Sequence, residues 1–511
     1  MTPLLHDPTR AVPLAELLAG LRVAGVLAGD LRVTGMTEDS RQVMPGDLFL
    51  ALPGIAGDHT VQHSTAALAA GAGAVLTDSE ASAASLPGVL HCAQLRCHAS
   101  SIASRYCDHP SHALEIVGVT GTNGKSTVTH LVATALAGLT QTHRVGLLGT
   151  LGNGLLGALE PSTLTTVSAV AVQGWLAALR AAGARHVVTE VSSHALDQHR
   201  VQGVRFAVAA FTNLTRDHLD YHGSLAAYAE AKLGLFDLPE VAACCYNAAD
   251  PLAQKIRERV SSRMPSIGWA LDAVASATLR PTYLQMDRDG IRMRGLWQQE
   301  GWEIVSPLVG RFNAENLLAA LGCLLLLGHG AADAAAALAR VPSVRGRLER
   351  LASSKHAEGT ESGAMPLVIV DYAHSPDALE KALLALRPLC SGRLVCVFGC
   401  GGERDAGKRP LMGAIAERLA DQVIVTSDNP RGEAPEQIID AILAGISARD
   451  AVLIEPDRAQ AIALAVNAAA AGDLVLIAGK GHEDYQEIGG RRLPFSDQTC
   501  ARLAMEARGP C

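Results

Sequence analysis

No stretch of this 511-residue chain stays apolar for long. The longest apolar run, Leu317 to Leu327, falls short of the roughly 20 residues a membrane-spanning helix needs and gives way to His329 and Asp333. Where a secretory signal would need an apolar run, the chain carries Asp7, Pro8 and Glu16. A cytoplasmic location without membrane insertion is therefore expected. The eleven cysteines form no CxxC pair and no zinc-ribbon spacing, which argues against a disulfide scaffold and for reduced thiols. Basic runs are missing as well. With a net charge of −8, a nucleic-acid surface is not expected, and acidic small molecules would have to be met by local arginines and lysines.

What is present is 49% hydrophobic residues and 49 glycines, a composition that fits an α/β protein. The length is too great for one core and suggests about three domains. Residues 1–112 form a first, smaller α/β block with a turn-rich stretch around Asp39-Ser40-Arg41 and a strand at Ala74-Val75-Leu76. Residues 113–340 alternate strands with helices, with strands expected at Ala113–Val117, Val145–Leu148, His186–Glu190 and Ala207–Thr212. That alternation predicts a largely parallel sheet with helices on both faces. Short, turn-punctuated strands follow from Met286 to Val305. Residues 341–511 repeat a doubly wound, Rossmann-like pattern, with strands at Leu367–Asp371, Arg393–Phe398, Gln422–Ser427 and Asp473–Ala478. A polar loop is expected over Ala352–Pro366. This last block has no GxGxxG opening, so a dinucleotide site is not supported.

The segment Gly118-Val119-Thr120-Gly121-Thr122-Asn123-Gly124-Lys125-Ser126-Thr127 follows a strand and precedes a helical pattern over Val128–Leu136. Glycines let backbone N–H groups close around phosphate oxygens, and the helix N-terminus adds a favourable partial charge. Lys125 is placed to reach the β- and γ-phosphates, and the Ser126 hydroxyl to ligate Mg²⁺. The usual phosphate-loop pattern has glycine six positions before its lysine, where this chain has Val119. The loop is one residue longer.

Glu190 closes a strand on the sheet edge that carries this loop, a natural place for a Mg²⁺ ligand, although a helix-capping role is the plainer alternative. Ser193-His194 is no hydrolase signature, because sequence neighbours need not meet as nucleophile and base. His218 and His222 lie four apart but match no HExxH pattern, and no further ligand supports zinc. By itself Lys232 reads as a solvated helix residue, and Asp428-Asn429-Pro430-Arg431 as a surface turn.

Taken together, GVTGTNGKST, EVSSHALDQHR, FTNLTRDHLDYHG with Ala231-Lys232, GRFNAEN at 310–316 and DYAHSPDAL at 371–379 resemble the Mur ligase family. The matches run in order through all three blocks, and the longer phosphate loop is that family's form. The segments at 397–412, 426–435 and 478–486 are similar to its MurE branch, which adds the third stem-peptide residue to UDP-N-acetylmuramoyl-L-alanyl-D-glutamate.

The resemblance implies three domains, binding in turn the UDP-substrate, ATP and the incoming amino acid, in a monomeric chain, with domain closure during turnover. It implies ATP and Mg²⁺, an acyl-phosphate intermediate, and catalytic roles for Lys125, Glu190, His218 and Lys232. Within it, Gly118, Thr120, Gly121, Thr122, Asn123, Gly124, Lys125, Ser126 and Thr127 hold the ATP phosphates. Asn313 contacts adenine, and Arg347 and Asp371 complete the ATP contacts. Ser126, Glu190, His218 and a Lys232 carbamylated to N6-carboxylysine form the metal sites. Ser40, Thr165, Thr166, Ser192, Gln198 and Arg200 match contacts to the UDP-sugar-peptide, with Leu164 where relatives often have asparagine. Arg404, Asp428, Asn429, Pro430, Arg431, Gly479 and Glu483 match those to meso-diaminopimelate. Arg431 suits the additional carboxylate that distinguishes diaminopimelate from lysine, because a guanidinium pairs with it bidentately. Two alternatives stand beside this: the same reaction with L-lysine, and a non-ligase ATP switch.

Overall fold

The computed structural model describes residues 5–25, 30–54, 59–142, 144–260, 263–351 and 365–508. It resolves into two compact units, Met1–Arg280 with Leu296–Glu300 and Asn316–Leu338, and Pro281–Gly295 with Gly301–Glu315 and Ala339–Cys511. Most of the polar segment expected over 352–366 lies outside the described residues.

Among its described residues the first unit has two large sheets and a two-stranded one, Val12–Pro13 with Arg32–Val33. In the smaller of the large sheets, Gly35–Thr37, Asp47–Ala51, Ala74–Thr77 and Val89–Cys92 run parallel, with Leu5–His6 and Val23–Ala24 antiparallel at the edges. The larger has eight strands. Its parallel part runs Val145–Gly149, His186–Glu190, Glu115–Thr120, Val208–Phe211, Cys244–Asn247 and Ser266–Trp269, and a hairpin of Gly152–Leu155 and Ala158–Glu160 extends the first edge. Strands buried on both faces read as continuous apolar runs, which is why Ile116, Val117, Val187, Val188, Val208 and Ala209 are solvent-free. The strand expected at Ala113–Val117 begins two residues later. Pro110 opens a 3₁₀ turn over Pro110–Ala113 that occupies its first position.

Glu115–Thr120 lies between His186–Glu190 and Val208–Phe211, so the loop leaving it has a strand end on either side. Ligands in such sheets bind at the carboxyl ends of the strands, where the order reverses.

The second unit is built on a sheet ordered Glu349–Leu351, Leu367–Asp371, Leu474–Ala478, Leu394–Phe398, Gln422–Val425 and Leu453–Ile454, parallel apart from the first strand. Apolar clusters pack on both its faces, one around Ile369, Cys396, Phe398 and Ile442, the other around Val395, Val475, Ile462 and Ala501. Among the described residues, no helix is long and apolar enough to cross a membrane.

Candidate active site

The phosphate loop closes on itself before any ligand is considered. Gly121 sits at φ +143°, and a side chain there would run into the Thr212 hydroxyl. Thr212 Oγ1 donates to the Asn123 carbonyl at 2.6 Å, and Thr122 N donates to the Asn213 carbonyl at 2.7 Å. Gly124, also left-handed, precedes the helix Lys125–Leu139, whose first turn carries Ser126 and Thr127. Lys125 folds back over the loop and donates to the carbonyls of Gly121 (3.0 Å) and Thr122 (2.9 Å). With Gly118 and Thr120 in the preceding strand, the nine predicted loop residues form one continuous feature.

Glu190 pairs in register with Val119, and this brings its carboxylate to the helix start. Ser126 Oγ donates to Glu190 Oε2 at 3.0 Å, and Thr150 N to Oε1 at 2.7 Å. A hydroxyl beside a carboxylate is the oxygen donor set that Mg²⁺ takes, so these residues fit that ion. Among the described residues no three His, Cys, Asp or Glu side chains gather as a metal cluster. An ion held here would draw its remaining donors from phosphate and water.

Lys232, expected from its surroundings in sequence to face solvent, is buried. Its Nζ donates to the same Gly121 carbonyl at 2.8 Å and lies 4.3 Å from the centroid of the Tyr228 ring. Burial, and secondarily the charge of Lys125, hold its pKa well below that of a free lysine. The Tyr228 hydroxyl in turn contacts Thr122 Oγ1 at 3.2 Å. His218 lies in an aromatic cluster with its ring centroid 4.9 Å from His194 and 6.1 Å from Tyr228. His222 joins the cluster with its ring centroid 5.5 Å from His194 and 5.2 Å from Tyr228, and its Nε2 lies 3.0 Å from Ser193 Oγ. Tyr228 and His194 carried no signal as site residues in the sequence.

Apart from Ser40, the residues expected at the UDP-substrate form a connected chain. Thr166 Oγ1 donates to the Glu190 carbonyl and accepts from Ser192 N, at 2.8 and 3.0 Å. Arg200 donates to the Thr166 carbonyl and to Gln198 Oε1, and Gln198 donates to the Tyr221 hydroxyl at 3.0 Å. Thr165 meets Thr150 through its hydroxyl at 3.3 Å. Ser40, 3.2 Å from His63 Nδ1, lines a cleft of about 770 Å³ with Leu164, Val167 and Ser168. Half-buried Glu38 accepts from Val170 N at 2.7 Å and joins the Ser40 segment to the helix Ala169–Ala181.

Asn313, Arg347 and Asp371 belong to the second unit. Asn313 Nδ2 donates to the Val309 carbonyl at 2.9 Å. Asp371 accepts from Leu348 N and Ala373 N, and burial raises its pKa. Arg347 lies over the Tyr372 ring, 4.8 Å from its centroid.

In the same unit Asp428-Asn429-Pro430-Arg431 leaves the strand Gln422–Val425, and Gly479 leaves its near neighbour Leu474–Ala478. Asn429 Nδ2 donates to Glu483 Oε2 at 2.8 Å. Arg431 takes a left-handed backbone conformation (φ +53°), held by bonds from its N to the Glu487 carbonyl and from Gly489 N to its own carbonyl. Its guanidinium donates one hydrogen bond, to the Gly402 carbonyl at 2.7 Å, and its Nε lies 3.6 Å from Glu487 Oε2, which still leaves donors for a ligand. Arg404 lies on the loop after Leu394–Phe398, and a Cβ on Gly401 would lie 3.9 Å from the Arg404 side chain and 3.0 Å from Arg431.

Residues 119–324 match the family described as Mur ligase middle domain, and residues 346–481 match Mur ligase, glutamate ligase domain. A UDP-N-acetylmuramoyl-L-alanyl-D-glutamate–2,6-diaminopimelate ligase of Ectopseudomonas mendocina is 47% identical over 97% of this chain and 98% of its own. The ligase of the same name from Pseudomonas aeruginosa is 48% identical over 94% and 96%. A solved structure bearing that enzyme name superposes with a TM-score of 0.74 at 35% identity, covering 98% of this chain and all of the other. A MurF ligase from Thermotoga maritima in complex with ADP shares the fold, with a TM-score of 0.56 at 17% identity over 88% of this chain and 94% of its own. The chain belongs to the Mur ligase family.

Proposed function

We propose that this enzyme joins meso-2,6-diaminopimelate to the D-glutamyl γ-carboxylate of UDP-N-acetylmuramoyl-L-alanyl-D-glutamate at the expense of ATP, a step of peptidoglycan precursor synthesis. The observation that carries this reading is the convergence of Lys125 and Lys232 on the Gly121 carbonyl, one loop away from the Ser126–Glu190 pair. The near-full-length likeness to ligases of that name supports the choice of substrates.

A free carboxylate is a poor electrophile. In this reading its oxygen attacks the γ-phosphorus of ATP, the bond to the β-phosphate oxygen breaks, and ADP leaves behind an acyl phosphate. The amine, in its neutral form, then adds to the acyl carbon and gives up a proton, and the tetrahedral intermediate expels phosphate to leave the amide. The first step brings two anions together and the second builds negative charge on the tetrahedral oxygen, so the site must supply positive charge and fixed donors. Lys125 and the amides of the loop face the phosphates in this account, and Glu190 orients the Ser126 hydroxyl. Mg²⁺ held by Ser126 and Glu190, with His218 on the substrate side, would neutralise phosphate charge.

Lys232 serves as a carbamate. A neutral buried amine adds to CO₂ and releases a proton, which turns a cation into an anion, and the depressed pKa makes the neutral amine accessible. The cleft beside Ser40, with Thr165, Thr166, Ser192, Gln198 and Arg200, takes the UDP-sugar-peptide, and Arg404, Arg431 and Glu483 take the amino acid. Because ATP and a UDP-linked precursor are cytoplasmic compounds, we infer a cytoplasmic enzyme.

The test uses the nucleotide substrate labelled with ¹⁸O in its γ-carboxylate, together with ATP and diaminopimelate. Mass spectrometry should find the UDP-linked tripeptide and one ¹⁸O in the phosphate released. Tripeptide with unlabelled phosphate would rule out the acyl phosphate, and absence of tripeptide would rule out the ligase reading.

A further inference from the structure

Lys480 is fully buried in the second unit, yet its ammonium is surrounded by the residues expected to meet the amino acid. It donates to Asn429 Oδ1 at 2.9 Å and to Glu483 Oε2 at 3.0 Å, and lies 4.0 Å from Asp428 Oδ1. Asn429 Nδ2 donates to that same Glu483 oxygen at 2.8 Å, and so Lys480, Asn429 and Glu483 form a closed triangle. Asn429 Oδ1 accepts a second bond, from Glu487 N at 2.9 Å.

The backbone is built to deliver this side chain inward. Gly479 has φ +119° and Gly481 has φ +54°, a pair of left-handed positions on either side of the lysine. A Cβ on Gly479 would lie 2.6 Å from Asp428 Oδ2, so the strand end and the Asp428–Asn429 turn approach as closely as glycine allows.

We propose that Lys480 is a positioning residue for the amino-acid substrate, which fixes the Asn429 amide and the Glu483 carboxylate in one orientation. With no exposed surface, it does not meet a ligand in this arrangement and acts through its two partners. An amide has two orientations of similar shape. The ammonium and the Glu487 N–H both require an acceptor, so the Asn429 oxygen turns to them and its NH₂ turns to Glu483. One Glu483 oxygen thereby takes two bonds, and the other is left to receive a substrate ammonium. The buried charge also offsets those of Asp428 and Glu483, so the two carboxylates can share one turn with the substrate's own carboxylates.

This inference rests on the reading of the second unit as the amino-acid site, and the experiment separates the two. Steady-state constants would be measured for the full chain and for K480M, K480Q and R431A, varying diaminopimelate and ATP in turn. Removing one partner of a buried, hydrogen-bonded charge pair should raise KM for diaminopimelate at least about 30-fold in K480M, with KM for ATP changed less than about 3-fold. K480Q keeps a donor without the charge and should fall between wild type and K480M. Should K480M fail to fold, K480Q against wild type decides. Unchanged KM for diaminopimelate in a folded Lys480 variant, with R431A raising it, would overturn the positioning role alone. Unchanged values in all three variants would overturn the amino-acid site itself.

Discussion

Lys125 and Lys232 share one acceptor, the Gly121 carbonyl, at 3.0 and 2.8 Å. Two ammonium groups on one oxygen repel each other, and this repulsion adds to burial in depressing the pKa of Lys232. Adding CO₂ to Lys232 removes that repulsion by replacing a positive charge with a negative one.

A pH dependence follows for the carbamate. The folded pKa of Lys232 is lowered, so the neutral amine becomes the main form as pH rises through that value, while free lysines stay protonated. With ¹³C-labelled bicarbonate, a carbamate resonance should appear as pH is raised, disappear on acidification, and be missing from K232A. A signal of equal intensity in K232A would contradict the assignment.

Stability should move opposite to activity at the same position. A buried lysine with no carboxylate in ion-pair range among the described residues is costly to keep. K232M should therefore melt above the unmodified wild type by an amount equivalent to about 1–2 kcal/mol. Its ligase activity should be lost. A large fall in melting temperature would mean that the bond to the Gly121 carbonyl and the Tyr228 ring outweigh the cost of burying the amine.

Glu190 accepts from both Ser126 and Thr150, so changing it disturbs two loops at once. E190Q should lower kcat by about 100-fold, because it removes the carboxylate that would hold Mg²⁺ beside the Ser126 hydroxyl. S126A, which leaves the carboxylate in place, should lose less. Isothermal titration with ATP and Mg²⁺, alongside kcat, checks the order.

Arg431 is held by its backbone and spends one guanidinium bond on Gly402. R431A should raise KM for diaminopimelate roughly 10- to 100-fold, because it leaves the substrate's distal carboxylate unpaired. KM for ATP should stay near the wild-type value. A rise confined to ATP would contradict this role.

Much of this arrangement is legible in the sequence. His186–Glu190 and Leu367–Asp371 are strands at the expected boundaries, because buried parallel strands are short apolar runs that end at polar ligand-facing residues. The strand before the phosphate loop starts later than expected, since Ala113 and Leu114 extend its apolar pattern backwards into the end of the turn at Pro110–Ala113. Lys232 was different in kind. Its burial depends on a carbonyl 111 residues earlier, and nothing on its own helix signals that partner. Lys480 was missed for the same reason. A lysine between two glycines reads as an exposed turn, and its partner Asn429 lies 51 residues away.

The most direct measurement is ADP release with UDP-N-acetylmuramoyl-L-alanyl-D-glutamate and ATP, comparing meso-diaminopimelate with L-lysine. The account predicts ADP release that requires the nucleotide substrate and is strongly favoured by diaminopimelate. Equal or faster turnover with lysine, or ADP release that needs neither substrate, would contradict it.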